Sequence, residues 1–276
     1  MLPNRLSAHI GYLFKELPLF ERIAAAAEAG FTAIEHPQPF EISAADMRAE
    51  LERFGLAISQ IAGAVGNADK GEKGLAALPG READFQEEFN RALDYAVAVD
   101  CPFVHPMAGV PSTRDGAAIA ETYHRNLSYA VERSAGTPVK VLIEAISEAA
   151  VPGYAMSTLD HAAKIQDLYG PGNVALLVDT YHARANGVAL EGWIAANHHR
   201  IGHIHIADHP GRHEPGTGTI AFEPLLAVLQ SHAYEGAIGF EYIPSKTTID
   251  SAAFLPRWKQ FMATNARQER QDRRPA

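Results

Sequence analysis

His203-Ile204-His205-Ile206-Ala207-Asp208-His209-Pro210-Gly211-Arg212-His213-Glu214-Pro215-Gly216-Thr217-Gly218-Thr219-Ile220 opens as a strict alternation and ends as a loop. Successive side chains of a strand point to opposite faces, so His203, His205 and Ala207 share one face and Ile204 and Ile206 the other. The isoleucine face suits a strand covered by helices. The histidine face needs polar partners or a metal, because an unpaired buried polar group is costly. Past Asp208 the residues turn to Pro, Gly, Arg and His, a loop able to bring cations and ring nitrogens to a small anionic ligand. A polar strand face that runs into such a loop is how active sites form at the carboxyl ends of barrel strands.

Outward from this stretch, short β-like runs alternate with longer helical ones. Strands are predicted at 5–12, 31–36, 56–65, 103–107, 139–146, 174–179, 202–207 and 237–242. Helices are predicted at 19–29, 44–54, 82–100, 116–134, 157–169, 190–197, 222–232 and 252–264. Gly30 and Gly55 stand where helix C-caps belong, and Ser43 with Asp46 makes a capping start. Eight strands, each followed by a helix, predict parallel pairing and an α/β fold, a single (β/α)₈ TIM barrel over residues 1–266. An open doubly wound sheet is the alternative, but no Gly-x-Gly-x-x-Gly follows the first strand. Residues 267–276 are polar and arginine-rich without apolar spacing, and read as a frayed tail. The long glycine- and lysine-bearing loop 66–81 follows the third strand, and its length reads as a lid over the barrel mouth.

The 276 residues are 47% hydrophobic and 21% charged, an ordinary globular balance. A net charge of −9 argues against a phosphate-backbone binder, so no nucleic-acid partner is expected. Cys101 is alone, which leaves no disulfide framework and no cysteine-rich zinc site. The opening residues carry no long apolar run, and no later stretch approaches the roughly 20 apolar residues that cross a bilayer. The expectation is a cytoplasmic chain without a signal peptide or membrane partner, open to homo-oligomerisation.

Three further strands carry an acid where an apolar residue is expected. Val141-Leu142-Ile143 ends in Glu144, Leu176-Leu177-Val178 in Asp179, and Ile238-Gly239-Phe240 in Glu241. One βα unit of such a barrel takes roughly 31 residues, and these acids and His205 fall at about that interval on four successive strands. Three carboxylates and an imidazole in one mouth repel each other unless a cation joins them. Oxygen-rich donors with one nitrogen suit Mn²⁺, Mg²⁺ or Co²⁺ better than a thiolate-seeking metal. The competing reading satisfies each residue separately by a hydrogen bond or salt bridge. Arg212, in the loop past Asp208, could hold a carboxylate through paired hydrogen bonds. Lys73, from the long loop, is a weaker candidate for that role. His203, one pleat deeper than His205, reads as support rather than ligand, and the roles of His9, His105 and His209 stay open.

Further local motifs run along nearly the whole chain: Gly71-Glu72-Lys73-Gly74, Pro79-Gly80-Arg81-Glu82, Met107-Ala108-Gly109, Leu142-Ile143-Glu144, Pro152-Gly153-Tyr154, Asp179-Thr180-Tyr181-His182, Glu214-Pro215-Gly216-Thr217-Gly218 and Gly239-Phe240-Glu241-Tyr242. In that order they resemble the hydroxypyruvate isomerase family, within the xylose-isomerase-like sugar isomerases and epimerases. The resemblance implies a divalent metal on Glu144, Asp179, His205 and Glu241, the same two glutamates as acid–base pair, and substrate contacts from His182 and Arg212. It implies isomerisation of a small hydroxy-keto acid, hydroxypyruvate to tartronate semialdehyde or a 2-oxo-tetronate, with ketose 3-epimerisation as the alternative on the same residues. The chain departs from the family at Ala145 and Ser147, where Pro and Asn are familiar, at His205, often Gln, and at Asn67-Ala68, where the family carries Asp-Trp. His9 and His209 stand where Asn is common. These departures alter the pocket walls around an intact metal set.

Overall fold

Eight strands, β1 (Leu6–His9), β2 (Ala33–His36), β3 (Ala57–Gly63), β4 (Phe103–Pro106), β5 (Lys140–Glu144), β6 (Val174–Asp179), β7 (Ile201–Ile206) and β8 (Ala237–Phe240), pair in parallel in chain order, and β8 closes onto β1. This computed structural model describes residues 5–260. Between the strands lie α1 (Leu19–Ala29), α2 (Ala44–Phe54), α3 (Glu82–Ala98), α4 (Gly116–Ser134), α5 (Leu159–Tyr169), α6 (Thr180–Ala185), α7 (Leu190–Asn197) and α8 (Phe222–Ser231), with a short α9 (Thr248–Ser251) after β8. The expected barrel therefore forms. No described helix is long and apolar enough to cross a membrane. The tail expected at 267–276, the boundary at 266 and the end of the last expected helix lie outside the described residues.

Local chemistry accounts for the element ends. Gly30 and Gly55 take left-handed φ of 96° and 64° and close α1 and α2. The Ser43 hydroxyl accepts the Asp46 amide at the start of α2. Several strands stop short of their predicted ends: β1 at His9, β3 at Gly63, β5 at Glu144 and β8 at Phe240. The helix α6 is an addition to the expected set. Asp179 caps it, and the run Thr180-Tyr181-His182 is helical rather than a continuation of the strand.

The barrel interior has two zones. Phe103, Leu142, Ala175 and Leu177 form a small apolar cluster of their own. Gly202 belongs beside it, since a Cβ there would stand 2.7 Å from the Ala175 Cβ and 2.8 Å from Phe103. Toward the carboxyl ends the inward positions become polar: Ser7, His9, Glu35, Ser59, His105, Glu144, Asp179, His203 and His205 are all buried. The larger core lies between the sheet and the helices, where Ile23, Ile34, Met47, Phe85, Phe89 and Ile204 are fully buried. Each such side chain contributes about 1.5–3 kcal/mol by leaving water.

The loop 66–81 corrects the expectation of a lid. Its second half is core: Leu75, Ala76 and Ala77 are fully buried. The Leu75 amide donates to the Ala64 carbonyl at 2.9 Å, Ala76 to Met107 at 3.1 Å, and Ala77 to Ala108 at 2.8 Å. Gly74 and Gly109, at φ +127° and +92°, let the two backbones meet, and a Cβ on Gly74 would collide with the Met107 carbonyl. We expect Gly74→Ala to cost about 3 kcal/mol or more, from overpacking of roughly 1–3 kcal/mol plus strain at positive φ. In a chain of this size that lowers the melting temperature by about 6 °C or more. Gly71→Ala, where a Cβ meets open space, carries only the strain and serves as the control. Equal melting of the two variants would show that the loop is not anchored at Gly74.

Candidate metal centre

Asp179 ends β6 and opens α6. Its Oδ1 accepts the His182 amide at 3.0 Å, which fixes the carboxylate and leaves Oδ2 buried with no hydrogen-bond partner among the described residues. His205 stands directly across from Asp179 in the β6–β7 ladder. Glu144 ends β5, and Glu241 follows β8 with its amide donating to the Ile206 carbonyl at 3.2 Å. The tilt of the strands staggers these positions, so that Glu144 pairs with Leu177 and His205 with Gly239. Even so, one donor atom from each of Glu144, Asp179, His205 and Glu241 lies within 4.8 Å of every other.

The four donors fit a divalent metal. Glu144 Oε1 and His205 Nδ1, like Asp179 Oδ2, are buried without a hydrogen-bond partner. A buried polar atom left unpaired costs about 1–3 kcal/mol. Asp179 Oδ2 and His205 Nδ1 have only ion-pair neighbours, Arg212 Nη2 at 3.5 Å and Glu241 Oε2 at 3.4 Å, and a cation among the four donors would satisfy all three atoms together.

The electrostatics carry the same strain. Burial and the charge of Glu241 raise the Glu144 carboxyl well above its ordinary range. Burial pushes Glu241 the same way, but Arg212, His205 and His9 outweigh it and hold that carboxyl well below. Burial would lower the His205 imidazole, yet Glu35 and Glu241 hold it well above its ordinary value. The cluster is thus a pocket of negative charge that protons and one guanidinium offset.

That guanidinium is Arg212. Its Nη2 pairs with Glu241 Oε2 and lies 3.5 Å from Asp179 Oδ2. The charged plane sits over Tyr12 at 5.1 Å and Tyr181 at 5.5 Å, while Nε is buried without a partner. The loop that presents it is fixed by Asp208, whose fully buried carboxylate accepts four backbone amides: His209 at 2.8 Å, Gly216 at 2.9 Å, Gly218 at 2.8 Å and Ile220 at 3.0 Å. Arg212 itself takes a left-handed φ of 57°, so the turn is set by these bonds rather than by residue preference.

The other histidines sort by distance. His182 is buried, with Nδ1 3.2 Å from the Ser147 hydroxyl and Nε2 3.9 Å from Asp179 Oδ2. His9 Nε2 lies 3.3 Å from Glu241 Oε1, and His105 Nδ1 3.8 Å from Glu144 Oε2. Burial and the neighbouring His205 push His105 down to about 3, so its ring is neutral. The His209 ring lies tilted against Tyr181, with centroids 5.6 Å apart, outside the donor set. Lys73 is exposed and is not brought to the cluster.

Sequence reasoning missed Glu35. It ends the apolar run Ala33-Ile34, the same signature that marked the other three acids, and its fully buried carboxylate lies 2.7 Å from His203 Nε2 and 3.4 Å from His205 Nε2. Tyr12, in the turn after β1, and Tyr181, in α6, were missed as well, since single aromatic residues there carry no spacing signal.

Residues 23–258 match the family described as xylose isomerase-like TIM barrel. A 2-oxo-tetronate isomerase of Cupriavidus necator is 39% identical over 91% of this chain and 97% of its own length. A protein of Mus musculus provisionally named hydroxypyruvate isomerase is 36% identical over 92% of this chain and 95% of its own. A crystal structure from Brucella melitensis, described as an AP endonuclease of family 2, superposes with a TM-score of 0.87 at 34% identity, over 92% of this chain and 99% of that one. The chain belongs to the xylose isomerase-like TIM-barrel family, among relatives named as 2-oxo-tetronate and hydroxypyruvate isomerases.

Proposed function

We propose that the protein is a metal-dependent isomerase that moves the carbonyl of a small hydroxy-keto acid to the adjacent carbon. The observation that carries this reading is one mouth holding both a four-donor cluster and, against two of its carboxylates, an arginine with a spare buried N–H. A divalent ion on Glu144, Asp179, His205 and Glu241 would neutralise negative charge that develops on two neighbouring substrate oxygens.

The protein residues do the rest. One glutamate of the pair Glu144 and Glu241 takes the proton from the hydroxyl-bearing carbon, and an enediolate forms as its C–H electrons become the new C=C bond. The other returns a proton to the former carbonyl carbon, while the hydroxyl proton crosses to the neighbouring oxygen. Arg212 offers Nε and its remaining N–H groups to the substrate carboxylate, in the planar fork that suits such a group. His182, held by Ser147, and the Tyr12 and Tyr181 rings wall the site. From hydroxypyruvate the product is tartronate semialdehyde. From a four-carbon 2-oxo-tetronate the new carbonyl stands on a secondary carbon, and the product is a 3-oxo acid rather than an aldehyde.

Turnover of a panel of small hydroxy-keto acids and ketoses, with Mn²⁺ or Mg²⁺ added, tests this reading. We expect hydroxypyruvate or a 2-oxo-tetronate to be consumed, and the activity to vanish with a chelator. Turnover confined to ketoses without a carboxylate would replace the reading with 3-epimerisation. Cleavage of abasic DNA would move it to the endonuclease class, against which the net charge of −9 stands.

A further inference from the structure

Below the four donors lies a second buried polar group that the proposed reaction does not use. Glu35, on β2, reaches across the barrel to β7, three strands away. Its Oε2 accepts the His203 Nε2–H at 2.7 Å and the Ser59 hydroxyl at 3.0 Å, and Ser59 in turn meets the Ser7 hydroxyl at 2.7 Å. Glu35, His203 and Ser7 are fully buried and Ser59 nearly so. With Oε2 engaged twice, Oε1 has no other partner and faces His205 Nε2 at 3.4 Å, an atom equally without one. Room for this carboxylate exists because residue 239 is glycine: a Cβ there would collide with Glu35 Oε1 and stand 2.7 Å from His203 Nε2.

We propose that Glu35 is the positioning residue of the metal centre, holding the His205 imidazole by Nε2 so that Nδ1 is turned to Glu144 and Glu241. A neutral imidazole has one N–H and one lone pair, and the partner of one nitrogen decides what the other offers. With a metal on Nδ1 the ring would be neutral and its one hydrogen would reside on Nε2, where Glu35, an acceptor only, takes it. That nitrogen lies 3.4 Å from Glu241 Oε2 and 4.0 Å from Glu144 Oε1. Metal-bound histidines are commonly oriented by a carboxylate in this way. The inference rests on the proposed four-donor centre.

Glu35, His203 and His205 also satisfy the spacing of a metal site in their own right. The hydrogen bonds decide against it. His203 Nε2 is spent as a donor at 2.7 Å, and Glu35 Oε2 already accepts two bonds. Only one facing pair of atoms is left, too few to hold an ion.

Mn²⁺ alone, titrated into the full chain and followed by the electron paramagnetic resonance of the free ion, tests the proposal without reference to turnover. Glu35→Gln keeps the shape but offers one acceptor oxygen in place of two, and Gly239→Ala crowds the carboxylate without removing it. Both are expected to raise the Mn²⁺ Kd about 10- to 100-fold, the usual cost of losing a partner behind a metal ligand. In a His205→Ala background, Glu35→Gln is expected to add no further loss, because no imidazole remains to be held. A merely structural role for Glu35 would add its full loss there. Glu35→Gln at the wild-type Kd, additive losses in the double variant, or a second equivalent of Mn²⁺ lost with Glu35 would each overturn the proposal. If the wild type takes up no Mn²⁺, the metal centre itself falls and this inference with it. If the wild type binds and the Glu35 variants match it, only this inference falls.

Discussion

Asp179→Ala is expected to leave the purified protein without bound metal and without turnover. Asp179 gives the cluster an oxygen, Oδ2, that is buried and without a hydrogen-bond partner among the described residues, and its loss should exceed the roughly 10- to 100-fold that removing a supporting partner costs. The same residue caps α6 through Oδ1, so alanine also removes a cap worth about 0.5–2 kcal/mol. That is a modest part of the stability of an ordinary domain, about 5–15 kcal/mol, and does not unfold it. Asp179→Asn separates the two effects. Asparagine keeps an oxygen for the His182 amide and so keeps the helix, but it removes the negative charge. We expect the asparagine variant to melt near the wild type while its metal content drops. Metal content equal to wild type in Asp179→Ala would remove Asp179 from the centre.

The parts of the centre that were legible in the sequence share one property: an ionisable residue at the end of an apolar run. Leu142-Ile143-Glu144 and Leu176-Leu177-Val178-Asp179 cannot be explained as ordinary strands, because each run is apolar on both faces and then stops at a charge. The barrel followed from the same rhythm, since eight parallel strands with helical crossovers leave few topologies. What stayed hidden depends on contacts between distant segments. Glu35 sat on a strand read only for its apolar residues, and its meaning lies in His203 and His205, far along the chain and three strands away. The loop 66–81 looked like a lid because so long a connection is uncommon without such a role. Its anchorage rests on Leu75-Ala76-Ala77 packing under α4 residue Asn126, whose Nδ2 donates to the Ala76 carbonyl at 2.9 Å. Arg212 was found as a loop cation, but that Asp208 gathers four amides to present it is a property of the folded turn. Lys73 shows the converse: a motif residue with the right charge that the fold leaves on the surface.

Glu144→Gln and Glu241→Gln, taken as a pair, separate proton transfer from binding. Each glutamate has two proposed tasks, and glutamine preserves the first better than the second. It keeps an oxygen donor and nearly the same shape, but the amide accepts no proton at neutral pH. General acid–base assistance is worth about 10²–10⁴-fold, so each variant is expected to lose at least the lower end of that range in kcat. Metal occupancy should fall far less, because three donors and one amide oxygen remain. Their environments also differ: Glu241 is paired with Arg212, while Glu144 has only a neutral His105 at 3.8 Å and a distant His205. Glu241→Gln therefore frees Arg212 as well, and its KM for a keto acid should change more than that of Glu144→Gln. Incubation of the wild type in D₂O should place solvent deuterium on the substrate carbon, unless the buried carboxylate returns its proton before exchange. The mutant pair decides the matter. If either variant keeps near-normal turnover with its metal bound, that glutamate is a ligand alone and the two-carboxylate mechanism fails.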